Sequence, residues 1–137
     1  MKPGFAAGLQ KTQRIVVDRE RTIGFMGEAL RVYGTPWMVR DLEIVCKDFL
    51  GEYLTPEENS VGARVEIDHL GPTLVNMWVD ITAAVTGIEG RRVSFEVEVR
   101  DALDVVGKAK HVRFIVDLAK QKQRLEAKAA KLAQLKA

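Results

Sequence analysis

The sequence predicts an α+β domain in which five antiparallel strands curl around one long helix, with an extra helix at the C-terminus. Three observations carry this. A sharp helix start at Thr35-Pro36 opens a segment whose apolar residues recur at helical spacing. Beyond residue 59 the apolar period switches to two, and four such runs follow one another through short connections. An alternating stretch centred on Ile15-Val16-Val17 supplies one more strand ahead of the helix. A single broad-faced helix and a sheet of this size satisfy one another as two layers.

The first strand is expected over Thr12 to Asp18. Residues 19–34 mix charges, Gly24, Gly27, Gly34 and scattered apolar side chains; they read as an irregular segment with a short helical turn, placed to lie over a site. Thr35 reads as the N-cap of the helix and Pro36 as its first residue, where the missing N–H of proline has no partner to lose. The helix runs to about Tyr53. Met38, Leu42, Cys46, Phe49 and Tyr53 form one stripe, and Val39, Glu43, Cys46 and Leu50 an overlapping one, so much of its circumference should be buried. Thr55-Pro56-Glu57-Glu58-Asn59 is a polar loop.

In the next run Val61, Ala63, Val65, Ile67 and His69 share one face, and Arg64, Glu66 and Asp68 the other. Gly71-Pro72 marks a turn into the long run Val75, Met77, Val79, Ile81, Ala83 and Val85. Glu89-Gly90 turns into Val93, Phe95, Val97 and Val99; Asp101 to Gly107 connects to a last run, Ala109 to Val116. Connections this short call for antiparallel pairing. In the tail, Leu118, Leu125 and Leu132 recur every seven residues. That spacing fits a short coiled coil or docking helix, but two heptads are few, and the last ten residues read better as a solvated Ala/Lys-rich helix. The expected organisation is a domain over 1–117 and a basic helical tail over 118–137.

Composition narrows the function. The 137 residues suit one domain, and no apolar run approaches the roughly 20 residues that span a bilayer. Met1-Lys2-Pro3-Gly4 has no apolar signal core, so a cytoplasmic protein is expected. Residues 118–137 hold six Lys/Arg against one acid, and the first 117 residues hold fifteen against eighteen acids. A mildly acidic body argues against nucleic-acid binding. Cys46 is the sole cysteine and sits in the apolar run Ile44-Val45-Cys46, which reads as core rather than reactive thiol. Two histidines and one cysteine leave little for a metal site, and there is no Gly-x-Ser-x-Gly elbow or phosphate-binding glycine loop. No metal or cofactor is expected.

Three residues stand out. Glu43 interrupts an apolar stripe, where a desolvated carboxylate needs a hydrogen-bond partner or a raised pKa. A Glu at the stripe's edge that lifts its head to water fits the pattern somewhat better. His69 ends an apolar strand face beside a turn, a place for a general base, although a satisfied core histidine fits there too. His111 alternates with Ala109 and Arg113 against Val112, Phe114 and Val116, so it reads as less buried and structural. Thr35 is explained by capping alone, yet a helix start gathers free N–H groups that suit a polarised carbonyl oxygen.

The run Thr35-Pro36-Trp37-Met38-Val39-Arg40-Asp41-Leu42-Glu43 resembles the helix start of fluoroacetyl-CoA thioesterase-like hot-dog proteins. So does Ser60-Val61-Gly62-Ala63-Arg64-Val65-Glu66-Ile67-Asp68-His69-Leu70 with a proline just beyond. Gly90-Arg91-Arg92-Val93-Ser94-Phe95 and the later Gly107 and His111-Val112-Arg113 fit as well, so the likeness covers about residues 3–116. The resemblance implies a hot-dog fold, a homodimer or dimer of dimers with joined sheets, and active sites at the interface. It implies that Thr35, Glu43 and His69 act together on the thioester of an acyl-CoA substrate and that Gly62 lines the acyl group. Trp37, Phe25 and Met26 join Gly62 as expected substrate-binding residues; Phe25, Met26 and Ala29 occupy the region of that enzyme's aromatic lid, without matching it. Fluoroacetyl specificity is not implied. The expected reaction is hydrolysis of a short-chain acyl-CoA. The alternatives are a hot-dog enoyl- or hydroxyacyl-thioester hydratase and a non-catalytic acyl-CoA binding module.

Overall fold

The structure, a computed structural model, describes residues 1–135; residues 136–137 of the expected tail lie outside the described residues. Strands β1 (Gln10–Val16), β2 (Thr22–Ile23) and β3 (Val32–Tyr33) precede helix α1 (Thr35–Gly51). Strands β4 (Glu58–His69), β5 (Trp78–Glu89), β6 (Arg92–Asp101) and β7 (Val105–Asp117) follow, and helix α2 (Leu118–Ala133) ends the order. The five long strands form one antiparallel sheet in the order β1-β5-β6-β7-β4, while β2 and β3 make a two-stranded hairpin within the segment expected to be irregular.

Helix α1 lies against the inner face of this sheet. Met38, Leu42, Val45, Cys46, Phe49 and Leu50 are buried along it and meet Val79, Ile81, Ala83, Val85, Val93, Phe95, Val97 and Val99 of β5 and β6. Burying each of the larger side chains is worth about 1.5–3 kcal/mol, so this helix–sheet seam is what holds the domain together. Cys46 is fully buried, and burial pushes its thiol up to about 12, as suits a core residue. Gly107 lets β7 cross the helix closely: a Cβ there would stand 2.7 Å from Met38 Sδ.

Four expectations need correction. Thr35 is not the N-cap. Gly34 takes that place in an extended conformation, and its carbonyl accepts the first intrahelical bond from Met38 N–H at 3.0 Å. The Thr35 hydroxyl is therefore not used in capping. The helix also ends at Gly51, two residues short of Tyr53.

The third correction concerns β4. Its pairing with β7 matches Gly62 to Arg113 and Arg64 to Val112, leaving Ala63 as the extra residue of a β-bulge. The alternation shifts by one there. Ser60 and Gly62 share the helix-facing side with Val65, Ile67 and His69, while Val61 is 42% exposed and Ala63 is exposed as well. The fourth concerns β7, whose inner face carries Ala109, His111, Arg113 and Ile115, all buried. Its phase follows β6: Phe95 pairs with His111 and Val93 with Arg113, and both β6 residues point into the core.

The tail is helical from Leu118, capped by the Asp117 carboxylate, which accepts from Lys120 N–H at 3.0 Å. None of its described residues is buried. Among the described residues, no helix is long and apolar enough to cross a membrane.

Candidate active site

The three expected working residues fall into two clusters. In the first, His69 closes β4 and Thr35 opens α1, and Thr35 Oγ1 and His69 Nδ1 share a 2.7 Å hydrogen bond. The bond exists because the Thr35 hydroxyl has no cap to make. Burial lowers the pKa of His69 below its ordinary value, partly opposed by the Gly71 backbone, so the ring is neutral near pH 7. The edge of Tyr33 meets this ring at a centroid distance of 6.3 Å.

Tyr33 is itself fixed from below. Its hydroxyl donates to Asp41 Oδ2 at 2.5 Å, and Arg21 Nε donates to the same oxygen at 2.9 Å. Asp41 is almost completely buried on α1, so the pair of donors is what makes its charge tolerable. Burial, together with the bond to Asp41, raises the Tyr33 phenol well above its ordinary value. This knot anchors the segment over residues 19–34 to the helix beside His69. Phe25 and Met26 stand largely in solvent, 82% and 48% exposed, while Trp37 is half-buried against the core.

The second cluster surrounds Glu43, two turns further along α1. Thr35, Val39 and Glu43 recur every four residues on one side of the helix, and eight residues amount to about 12 Å of axis. The Glu43 carboxylate looks into an open hollow of about 420 Å³ lined by Pro36, Val39, Ile44, Lys47 and Arg113 among others. Behind it lies Arg113, whose side chain is only 5% exposed, with Nη1 at 4.0 Å from Glu43 Oε2. Arg113 donates through Nε to Ser60 Oγ at 2.8 Å, through Nη2 to the Ser60 carbonyl at 2.9 Å, and through Nη1 to His111 Nε2 at 3.2 Å. His111 donates from Nδ1 to the Arg64 carbonyl at 2.8 Å. Gly62 faces the same spot, and a Cβ on it would stand 2.9 Å from Glu43 Oε2.

Ser60, His111 and Arg113 stand in this cluster, and sequence reasoning missed them. The signal was present in part. On its apolar stripe Glu43 calls for a polar partner, and the alternation puts Arg113 and His111 on one face of their strand. Only the inward phase of β7 was lacking.

Residues 17–119 match the fluoroacetyl-CoA-specific thioesterase family. The fluoroacetyl-CoA thioesterase of Streptantibioticus cattleyicolor is 31% identical over 127 residues, which cover 88% of this chain and 91% of the relative. This chain belongs to the fluoroacetyl-CoA-specific thioesterase family. It is an acyl-CoA thioesterase with the hot-dog fold. A crystal structure of a point mutant of the fluoroacetyl-CoA-specific thioesterase superposes with a TM-score of 0.83 at 30% identity, covering 93% of this chain and 99% of that one. A thioesterase-superfamily member from Thermus thermophilus gives 0.87 at 27% identity, with 96% and 98% covered.

In this thioesterase the groups suited to thioester chemistry are thus distributed. A neutral imidazole with a hydroxyl stands at the helix start, and a carboxylate backed by a buried guanidinium stands two turns on. The first cluster can pass a proton; the second can present a nucleophilic or basic oxygen to the hollow.

Proposed function

We propose that this thioesterase hydrolyses a short-chain acyl-CoA in the cytoplasm, with Thr35, Glu43 and His69 as its working groups. The observation that carries the assignment is the state of Glu43: a carboxylate 38% exposed to an open hollow, with a buried Arg113 behind it and Gly62 leaving room in front. The Arg113 guanidinium, held by Ser60 and His111, gives this carboxylate a cationic neighbour at 4.0 Å. Glu43 either attacks the acyl carbon, expelling the coenzyme thiolate and giving a mixed anhydride that water then hydrolyses to the free acid and Glu43, or takes a proton from a water that attacks instead. His69, neutral at rest, relays to the leaving sulfur the proton that the attacking water gives up, and Thr35 hydrogen-bonds the reacting carboxylate or carbonyl. Gly62, Trp37, Phe25 and Met26 give surface to the acyl group and its carrier arm.

Thr35 and Glu43 lie about 12 Å apart along one helix, and within the chain Glu43 touches neither Thr35 nor His69. A second copy completes the site in this reading. Strand β4 ends the sheet, so one side of its 12 residues is free to pair, and an open edge of this length invites a partner strand. Joining two sheets along β4 sets the Gly62 segments together and closes the hollow at Glu43. The working form is a homodimer or a dimer of dimers.

The test is thiol release from a panel of acyl-CoA substrates graded by chain length and polarity, with Glu43→Ala alongside and molar mass measured in solution. Undiminished turnover in the variant sinks the assignment. Hydration of crotonyl-CoA without thiol release would mark a hydratase instead.

A further inference from the structure

The hollow in front of Glu43 carries two cations that thioester hydrolysis does not call for. Arg40 and Lys47 line it, one shortly before Glu43 and one shortly after it on the same side of α1. Glu43 is the one acid among the described residues of its lining. Arg113 lines it too, but its donors are engaged with Ser60 and His111. Arg40 and Lys47 are not engaged in this way. The carboxylate beside Arg40 is that of Asp41, whose Oδ1 stands 4.0 Å from Arg40 Nη1, too long for a hydrogen bond. The other oxygen of Asp41 already accepts from Tyr33 and Arg21. Arg40 stands 6.0 Å over the Trp37 ring, at the outer reach of a cation–π contact. Lys47 is exposed, and no carboxylate among the described residues pairs with it.

Spacing says what these cations can hold. Along the helix axis they sit about 4.5 Å and about 6 Å from Glu43. An acyl carbon in contact with Glu43 is therefore within reach of both side chains, and Val39 and Ile44 give the hollow apolar walls for a short alkyl chain. In a four- or five-carbon dicarboxylic acyl group the free carboxylate is three or four bonds of about 1.5 Å from the thioester carbon, a zigzag of about 4–5 Å. That matches the spacing of the cations. The phosphates of coenzyme A do not match it, because the extended pantetheine arm holds them roughly 15 Å from the sulfur. Arg40 offers a planar fork that suits a carboxylate, and Lys47 adds a point charge. Under the dimer proposed above, a second copy closes the hollow over both cations. Charges withdrawn from water without a partner are costly, and a substrate carboxylate removes that cost.

We propose that the acyl group taken by this thioesterase is itself anionic: a four- or five-carbon dicarboxylic acyl-CoA whose free carboxylate is held by Arg40 and Lys47 while Glu43 works on the thioester. The two cations offset Glu43 and the substrate carboxylate together, so the hollow accepts a second anion. This names the substrate class and rests on the reading of the hollow as the reacting site. It makes Arg40 and Lys47 specificity-determining residues with no part in the bond-breaking step.

The experiment follows thiol release by the full chain from two matched pairs, succinyl-CoA against butyryl-CoA and glutaryl-CoA against valeryl-CoA, each corrected for spontaneous hydrolysis. In at least one pair kcat/KM should favour the dicarboxylic member by about 10- to 100-fold, as a hydrogen bond to a charged group supplies. Arg40→Ala and Lys47→Ala should each lower that ratio by about threefold or more, and Arg40→Glu should make the uncharged member the better substrate. Both side chains are exposed, so these substitutions leave the core untouched. Comparable turnover of both members in both pairs overturns the inference and leaves short-chain hydrolysis standing. A dicarboxylic preference that Arg40→Glu does not reduce overturns it as well. So does a loss of kcat/KM that is equal for both members, which puts the cations on the coenzyme, or a fall in molar mass with the ratio intact, which puts them on the second copy. No thiol release from any of the four probes is a different result, which defeats the short-chain reading itself.

Discussion

Replacing Gly62 by alanine separates what the fold needs from what the site needs. The backbone of Gly62 does not have a positive φ, so alanine fits its conformation and even trims the entropy of the unfolded chain, an effect of about 0.4–1 kcal/mol. The added Cβ stands 2.9 Å from Glu43 Oε2 and 3.4 Å from both Arg113 Nη1 and His111 Cε1. Its tightest neighbour is the far end of a side chain that is 38% exposed and can swing toward the hollow. Carbon and oxygen need about half an ångström more than this contact allows, since non-bonded optima lie near 3.5 Å. The carboxylate therefore moves by that amount, and the fold barely changes. A 1 Å misplacement of a reacting group costs about 100-fold, so kcat for Gly62→Ala should drop roughly 10- to 100-fold. The melting midpoint should stay within about 4 °C, as a balance below 1 kcal/mol implies. Thiol release and a thermal scan on the same preparation check both halves. Unchanged kcat would show that the carboxylate's place is unimportant. A collapse in melting temperature would show that the Cβ presses on the core and not on a mobile carboxylate.

Other expectations follow from particular contacts. Tyr33→Phe leaves the buried Asp41 carboxylate with Arg21 as its remaining side-chain donor and should cost about 1–3 kcal/mol in urea unfolding, with activity reduced because the edge beside His69 loosens. Gly107→Ala drives a Cβ to 2.7 Å from Met38 Sδ and 3.3 Å from Val99 Cβ, and Met38 is fully buried with nowhere to retreat; the same denaturant assay should register about 1–3 kcal/mol. The folded pKa values of His69 and His111 both lie below the ordinary 6.5, so the unfolded chain binds more protons in the window beneath 6.5. Stability should be fully present above that pH and fall as pH drops through the folded values, which chemical unfolding from pH 4 to 8 would show. Deleting residues 120–137 removes no buried side chain among the described residues, so stability should change by less than about 1 kcal/mol and acyl-CoA turnover should persist.

The fold was legible because the period of the apolar residues changes once, cleanly, and because every connection after α1 is short. Thr35 and His69 were legible as a polar pair only through family spacing, since each has an ordinary structural explanation. Thr35 even carried the wrong one: its preference for capping is real, but Gly34 enters the helix first and leaves the hydroxyl unused. The second cluster was harder for a physical reason. Apolar alternation normally marks the buried face of a strand, and in β7 Val112, Phe114 and Val116 mark the other one, with Phe114 left 41% exposed. The polar His111 and Arg113 take the inner face because β6 dictates the register and because each satisfies the other with Ser60 and Arg64. Pattern reasoning treats buried polar groups as errors to be avoided, and this network is the kind it passes over.

One feature of β4 links the two clusters. Gly62 and His69 are seven positions apart, an odd number, and in a regular strand they would point to opposite faces. His69 must face inward to reach Thr35, and Gly62 must face inward to leave space for Glu43. Both conditions hold because Ala63 is an extra residue, unpaired with β7, that resets the alternation between them. The bulge is then a requirement of the site rather than an irregularity of the sheet. It also explains why Val61 and Ala63, which read as core in sequence, are exposed: they are on the outer side of the phase that lets one strand meet α1 both at its start and at its middle. A bulge at a free sheet edge also bends the strand locally, so the segment that accommodates Glu43 is the same segment that a partner strand would meet. Under the dimer proposed above, pairing at β4 and placement of the carboxylate are one geometric event, and a variant that straightens the strand should lose both together.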